Sequence, residues 1–290
     1  MVSVLRKRAV IEALGELFEG EELKRALTGV DTIGDLTVIK IPRGWEGRGH
    51  EIGELLLSRL KNARGVFRQT AAASRGDKVR GVEWLAGEKE TVTTYAEHGC
   101  VFKVDIAKVY FSPRLSYERL RVARLAKRGE VVVNMFAGVG TFSIVMAKRA
   151  GSQRIYSIDK NPEAFKYMAE NVVINGMAGT VIPILGDAKE AVVGLRGVAD
   201  RVLMPLPELA LECLPYGLSC LKPRGWIHVY LHQQGGSRGA AVEECVTETR
   251  GRIEKVAEVH SISGRIVRSV GRRLYQVVVD AEVQRAGDYP

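Results

Sequence analysis

Long apolar runs are missing from this sequence: nowhere do about 18 uninterrupted apolar residues occur, the length a helix needs to cross a bilayer. The nearest approach, Val131 to Ala147, is broken by Asn134, Gly138, Gly140, Thr141 and Ser143, and reads as a strand, a turn and a helix. A cleavable leader is missing too. The opening residues MVSVLRKRAVIEALGELF carry Glu12 and Glu16 and no small-residue cleavage site. Cysteine is scarce: Cys100, Cys213, Cys220 and Cys245 have no C-x-x-C spacing and are too few for a disulfide framework or a zinc site. The five histidines show no metal-ligand spacing either. These absences predict a cytosolic protein with no resident metal. Asn and Gln total only eleven residues while Glu, Lys and Arg are plentiful, a bias of heat-adapted proteins. Repeats and low-complexity linkers are also lacking, which excludes a solenoid or a tether.

What is present is a chain of 290 residues, roughly two domains' worth, with 46% hydrophobic and 27% charged residues, ordinary globular proportions. Its formal charge is +9, unevenly spread. Residues 1–110 hold 18 basic and 16 acidic side chains, a balance of +2, whereas residues 111–290 hold 25 and 18, a balance of +7. The excess includes Arg114, Arg119, Arg121, Arg124, Lys127 and Arg128, and later Arg265, Arg268, Arg272 and Arg273. Such an excess fits a polyanionic partner, because neutralising phosphates releases counterions. A solvated surface on a basic protein is the competing reading.

The hydrophobic pattern divides the chain in three. Residues 4–27 have helical periodicity, with Leu5, Val10, Ile11, Leu14 and Leu17 recurring at intervals of three or four. Residues 28–111 read as an α+β middle domain, with strands in DLTVIKIP and GCVFKVDIAKVYF and an amphipathic helix in EIGELLLSRLKN. Pro113 restricts its predecessor Ser112 to extended geometry and marks the boundary. From Glu130 strands alternate with helices (EVVVNMF, RIYSID, TVIPIL, DRVLM, WIHVYLH), and the tail from Lys255 reads as a closing pair of antiparallel strands. Residues 112–290 are therefore expected to form an α/β domain, an open parallel sheet with helices on both faces.

Three strand ends in that domain carry the chemistry. Val131-Val132-Val133-Asn134-Met135-Phe136-Ala137-Gly138-Val139-Gly140 is an apolar strand running into a turn whose glycines let a ligand approach the backbone. It is not a dinucleotide fingerprint, since Ser143 stands where G-x-G-x-x-G needs its third glycine, and no Lys-Ser/Thr pair completes a phosphate-binding loop. Asp159 ends the next strand, twenty-five residues after Asn134, where a carboxylate can accept both hydroxyls of a ribose. The competing role for Asp159 is to cap its turn. Asp187, within Gly186-Asp187-Ala188, ends the third strand, where it can accept an adenine amine. Together they describe a nucleoside crevice of the S-adenosylmethionine type, with Phe136, Ala137, Gly138, Gly140, Asp159, Lys160, Asp187 and Ala188 as its expected lining.

Beyond these positions the sequence resembles the archaeal and eukaryotic type of tRNA (guanine-37-N1)-methyltransferase, kin of the aminocarboxypropyl transferase of wybutosine synthesis. The resemblance runs from about Leu27 to the end. It is most specific in Val109-Tyr110-Phe111-Ser112-Pro113-Arg114-Leu115, in Glu118-Arg119 and in Met135 to Gly140. Glu83 to Glu88 and Gly99 to Asp105 match the same family's middle domain. Ser-Pro-Arg-Leu-x-x-Glu-Arg is similar to the methyltransferase, where the aminocarboxypropyl-transferring relative has a glycine-asparagine variant. The resemblance implies a class I, Rossmann-like S-adenosylmethionine methyltransferase sheet with closing antiparallel strands, preceded by a smaller α+β domain. It also implies a monomer acting on the anticodon stem-loop of tRNA, without the small elbow-recognising module that many members carry at the N-terminus.

Methylating guanine at N1 needs a base for the N1 proton and a cation or donor at O6, where charge gathers. By resemblance the base is Glu118 and the O6 partner is Arg80, with Arg75 or Lys78 as alternatives in a segment one residue short of the family pattern. An ordinary helix pair with Arg114 is the competing role for Glu118. Arg119 is expected near the cofactor carboxylate, and Arg114, Arg121 and Arg124 on tRNA phosphates. Three departures stand out. Asn134 replaces the family's Asp, and Pro205-Leu206-Pro207 replaces Asn-Leu-Pro after the fourth strand. Tyr95-Ala96-Glu97-His98-Gly99 replaces His-Arg-Glu-Asn-Gly. Pro205 thus occupies a catalytic position without a side-chain amide or an N–H. The alternatives to guanine methylation are another step of wyosine-type modification, by aminocarboxypropyl transfer or methylation of a tricyclic intermediate, and a non-catalytic tRNA-binding relative.

Overall fold

The computed structural model describes residues 2–70, 81–152 and 154–285. The chain forms two compact units, one running to Glu97 and including Val101–Arg114, the other comprising His98–Cys100 and the chain from Leu115.

In the first unit the periodic N-terminal segment folds as two helices, α1 (Val2–Gly15) and α2 (Gly20–Thr28). Val10, Ala13, Leu14, Phe18 and Ala26 join Ile39, Ile52, Leu56, Val66 and Leu85 in a single core. Residues up to 27 therefore belong to the same packed body as the segment after them. Strands β1 (Asp31–Ile33) and β2 (Leu36–Ile39) pair antiparallel. Helix α3 (Gly49–Arg59) then carries the chain across to β3 (Gly65–Gln69), which lies parallel to β2, and β4 (Val82–Gly87) closes the sheet antiparallel to β3. A parallel pair needs such a crossover, which is why a helix stands between two strands here. Strand β5 (Val92–Glu97) and strand β6 (Cys100–Asp105) form a separate hairpin. Its two turn residues, His98 (φ 50°) and Gly99 (φ 74°), both sit in the left-handed region that a two-residue hairpin turn demands. The strand expected over GCVFKVDIAKVYF stops at Asp105, whose Oδ1 accepts the Ala107 N–H at 3.0 Å and turns the chain.

The second unit opens with α4 (Ser116–Leu125) and then alternates strand and helix: β7 (Val131–Asn134), α5 (Thr141–Ala150), β8 (Arg154–Asp159), α6 (Pro162–Ile174), β9 (Val181–Leu185), the short α7 (Ala188–Ala191), β10 (Ala199–Met204), α8 (Ala210–Cys220) and β11 (Leu221–Gln234). Helix α9 (Arg238–Ile253) leads to the long hairpin β12 (Ala257–Gly271) and β13 (Leu274–Arg285). The sheet order is β12-β13-β11-β10-β7-β8-β9; β11 through β9 run parallel, and β13 and β12 pair antiparallel at one edge. The closing pair expected at the tail is therefore present. Because β8 and β9 lie on one side of β7 and β10 and β11 on the other, strand order reverses at β7. In such sheets the crevice opens at the carboxyl ends flanking that reversal. Val133, Ile158, Val202, Met204, Ile227, Val229, Val277 and Val279 pack the core that fixes these strand ends.

Candidate active site

Strand β7 ends at Asn134, and the chain turns immediately. The Ala137 N–H bonds the Ile158 carbonyl at 2.8 Å and the Gly140 N–H bonds the Ala137 carbonyl at 2.9 Å, pinning the turn to β8. Gly138 (φ 57°) and Gly140 (φ 86°) adopt left-handed backbone, and a Cβ on Gly140 would stand 3.0 Å from Met168 Cγ. The left-handed backbone favours glycine at 140, and a side chain there would also press on Met168. Beneath the turn lies a small polar cluster. Asn134, Ser143 and Ser157 are fully buried; Asn134 Nδ2 donates to Ser143 Oγ at 3.1 Å and Ser157 Oγ to Ser143 Oγ at 2.7 Å.

Asp159 does more than its strand-end position implies. Its Oδ2 accepts the Gly138 N–H at 2.7 Å and its Oδ1 the Asn161 N–H at 3.0 Å, so the carboxylate clamps the glycine turn from the neighbouring strand. The competing role, capping its own turn, is therefore one that Asp159 fills. Asn161 caps α6, its side chain accepting the Glu163 N–H at 3.0 Å, with Pro162 in the first turn. Asp187 caps α7 through the Lys189 N–H at 2.9 Å and is exposed, while Ala188 behind it is buried. Phe136 is half-buried, Ala137 is buried and Lys160 is exposed.

Glu118, in the first turn of α4, is only 2% exposed. Its partner is not Arg114 but Arg121, which forks onto it with Nη2–Oε1 at 2.7 Å and Nε–Oε2 at 2.9 Å. The Tyr230 hydroxyl donates to Oε1 at 2.8 Å from β11, and Arg265 of β12 stands 3.8 Å from Oε2. Arg121 also grips Asp280 on β13, at 2.6 and 3.2 Å. Asp280 Oδ1 lies 2.5 Å from His228 Nδ1, and His228 Nε2 lies 2.7 Å from Arg201 Nη1. Since arginine only donates, Nε2 must accept and Nδ1 must carry the proton: His228 is the neutral Nδ1–H tautomer. Burial, with the charges of Arg201 and Arg121, pushes its pKa down in agreement. Arg201 forks in turn onto Glu130 at 2.8 and 3.1 Å. Burial would raise the Asp280 carboxyl, yet the bonds from His228 and Arg121 hold it well below the usual carboxylate range. Burial and the neighbouring Glu118 charge push the Tyr230 hydroxyl far up, so it remains a donor.

The remaining expected residues fall out unevenly. Arg119 is 2% exposed and thus an interior side chain rather than surface charge. Arg121, expected on tRNA phosphates, is committed to two carboxylates with its side chain only 14% exposed, which removes it from a phosphate-binding surface. Arg114 bonds Asp31 Oδ1 at 2.6 Å within the first unit, and Arg124 is exposed on α4. Pro205 follows β10 directly and is half-buried; as a catalytic side chain it has no polar atom to offer. Arg80, with Arg75 and Lys78, lies outside the described residues. Tyr230, His228, Asp280 and Arg201 escaped the sequence reading. The signal for two of them was there: His228 and Tyr230 alternate within the apolar strand WIHVYLH, so both share one buried face. Among the described residues no group of three or more His, Cys, Asp or Glu is arranged to hold a metal.

A reversing parallel sheet, a glycine turn clamped by the aspartate of the next strand and an antiparallel closing pair define the class I S-adenosylmethionine-dependent methyltransferase fold. The profile of the TRM5/TYW2 methyltransferase domain matches residues 93–263, and that of the TYW2 N-terminal domain matches residues 10–91. The chain belongs to the TRM5/TYW2 methyltransferase family. It is 38% identical over 265 residues to the tRNA (guanine(37)-N(1))-methyltransferase Trm5b of Pyrococcus abyssi, spanning 91% of this chain and 77% of that one. It is also 38% identical over 252 residues to a tRNA 4-demethylwyosine(37)-methyltransferase of Saccharolobus solfataricus, spanning 87% and 92%. A tRNA(Phe) (4-demethylwyosine(37)-C(7)) aminocarboxypropyltransferase of Methanocaldococcus jannaschii is 37% identical over 198 residues, spanning 68% of this chain and 76% of that one. Among solved structures, the complex of aTrm5 with tRNALeu superposes with a TM-score of 0.81 at 34% identity, covering 95% of this chain and 78% of that one. The M. jannaschii TYW2 complex with AdoMet superposes with a TM-score of 0.68 at 29% identity, covering 88% and 99%.

Proposed function

We propose that this protein transfers a methyl group from S-adenosylmethionine to N1 of guanosine-37 in tRNA. The observation that carries the reading is the Glu118 carboxylate, 2% exposed and held by three donors in the segment Ser112-Pro113-Arg114-Leu115-Ser116-Tyr117-Glu118-Arg119. The crevice residues fit the methyl donor. Asp159 stands at the carboxyl end of β8, where a carboxylate can accept a ribose diol, beside the left-handed glycine turn of Gly138 and Gly140. Arg119 is the cation for the donor's carboxylate, and Asp187 the acceptor for its adenine amine. When bound, S-adenosylmethionine supplies a methyl activated by the sulfonium to which it is attached. Glu118 takes the N1 proton of the guanine, making N1 a nucleophile as its lone pair is freed. The network behind Glu118 excludes water and fixes its rotamer. Arg124 and the other exposed basic side chains meet the phosphates of the anticodon stem-loop.

A second reading, methylation of a tricyclic wyosine intermediate, is favoured by two observations. A 4-demethylwyosine methyltransferase is as similar as the guanine enzyme and matches this chain over 92% of its own length. Pro205 also removes the side-chain amide expected beside the target base, and a wider base needs that space. Aminocarboxypropyl transfer from the same donor is the third product the family offers. Mass spectrometry of nucleosides from tRNA carrying either unmodified guanosine-37 or 4-demethylwyosine, incubated with the protein and S-adenosylmethionine, separates all three. A methyl added to guanosine supports the main reading. A methyl on the tricyclic base alone, or a 3-amino-3-carboxypropyl group, overturns it.

A further inference from the structure

Two buried carboxylates, Glu118 and Asp280, share one guanidinium. Each takes two contacts from Arg121, so the three groups carry a net charge of −1 and can accept one proton. The bonds decide which carboxylate accepts it. Asp280 has a further donor, the Nδ1–H of a neutral His228 whose tautomer is locked by Arg201, and losing its charge would break contacts at 2.5 and 2.6 Å. Glu118 has the Tyr230 hydroxyl at 2.8 Å and the more distant Arg265 at 3.8 Å. These four elements, α4, β11, β12 and β13, supply the charged and titratable groups around Glu118: Arg121, Tyr230, Arg265 and Asp280.

We infer that Asp280 and Tyr230 are positioning residues that act on Glu118 in opposite directions. Asp280 occupies one edge of Arg121 and sets a second negative charge beside Glu118, keeping the latter able to take up a proton. Tyr230 donates to the same Glu118 carboxylate and favours its ionised form. Asp280 cannot serve as the base itself, because every site on it that faces Arg121 or His228 is spent on holding charge. The fold thus separates two carboxylates into a fixed counter-ion and a proton acceptor, the arrangement by which paired acids divide roles. This inference rests on the proposed role of Glu118, yet its protonation is measurable without substrate.

The test uses the full chain labelled with 13C at glutamate side-chain carboxyls. The Glu118 resonance is assigned by its loss in Glu118→Gln and titrated in wild type, Asp280→Asn and Tyr230→Phe. Removing the Asp280 charge should move the Glu118 titration to lower pH, and removing the Tyr230 hydroxyl should move it to higher pH. Each shift should be about one pH unit, the scale of a neighbouring charge or a lost donor. Asp280→Ser, which removes the charge but keeps a hydroxyl toward His228, serves if Asp280→Asn fails to fold. It should displace the Glu118 titration in the same direction as Asp280→Asn. Single-turnover methylation across pH is then run on the same proteins, and its acid limb should follow the same two displacements. A Glu118 titration that stays put in both folded variants, or moves the same way in both, overturns the inference. Opposed shifts in the spectra with an unmoved acid limb uphold the network and overturn the proposed role of Glu118 as base.

Discussion

On the proposed function Asp159 carries two duties, which two assays on one variant separate. Its carboxylate clamps the Gly138 and Asn161 N–H groups at 2.7 and 3.0 Å, and on the proposed function it also binds the ribose of the methyl donor. Hydrogen bonds to a charged group contribute about 1.5–3 kcal/mol each, and water recovers part of that at a half-buried site, so Asp159→Ala should cost roughly 2 kcal/mol of stability. For a unit of this size that is a fall in Tm of about 4–8 °C. The ribose bonds are lost in addition. Their loss should weaken S-adenosylmethionine binding by more than about tenfold, or 1.4 kcal/mol. Asp159→Asn keeps one acceptor oxygen but turns an NH2 toward the second backbone donor, so it should fall between the two in Tm while losing as much affinity. Differential scanning calorimetry reads the first duty and isothermal titration the second. A lower Tm with unchanged affinity would mean that Asp159 is a turn cap and nothing more, and the crevice reading would fall with it.

Glu118→Gln should slow single-turnover methylation by about 100-fold or more while S-adenosylmethionine affinity is retained, the scale of a positioned general base. A normal rate in the folded fraction would mark Glu118 as structural. Affinity for tRNA should fall steeply with salt and drop further in Arg124→Ala. Arg121→Ala should instead lower Tm, since its guanidinium serves Glu118 and Asp280; filter binding and melting of the same variants distinguish the two. Arg201→Ala strands the Glu130 carboxylate and the His228 acceptor, a broken buried pair costing about 3–5 kcal/mol, and an unchanged urea midpoint would refute it. The lowered pKa of His228 makes the unfolded chain bind more protons below about pH 6.5, so stability should decline as pH falls from there. His228→Gln should flatten that decline, and equal slopes in the two proteins would contradict the tautomer assignment.

The second unit was legible because its signals are local. An apolar strand, a glycine turn and a helix follow one another in Val131 to Ala150, and each strand of the parallel set repeats that logic. The first unit was harder. Strands β1, β3 and β4 are three to six residues long and half of their positions face outward, so alternation has too few turns to declare itself. The break between α1 and α2 was hidden for a related reason: Leu17 and Phe18 continue the apolar rhythm across the loop and pack in the same core as the helices. In the site, position alone singled out Asp159, and its bonds to the turn were not legible. The clamp on Gly138 joins residues 21 apart in sequence, and no spacing rule reveals which N–H a carboxylate will meet. Arg121 was misread for the same reason. An arginine three residues from a glutamate on a helix looks like surface charge until the strand carrying Asp280 arrives from 159 residues away.

The departures at Asn134 and Pro205 leave the glycine turn intact. The glycine turn is held by backbone bonds to Ile158 and by Asp159, none of which uses the side chain at 134 or 205. Asn134 is fully buried and meets only hydroxyls, Ser143 directly and Ser157 through it. A buried carboxylate there would have to draw its hydrogen bonds from those hydroxyls, whereas a neutral amide carries no charge to desolvate. The amide has its own deficit, since Asn134 Oδ1 finds no hydrogen-bond partner. One unpaired acceptor costs about 1–3 kcal/mol, less than an unpaired buried charge. Pro205 follows β10 directly and brings neither a side-chain amide nor an N–H to that strand end. On the proposed function the two departures should therefore act on the choice of base and the rate, and an S-adenosylmethionine affinity unchanged by Asn134→Asp or Pro205→Asn in isothermal titration would bear that out.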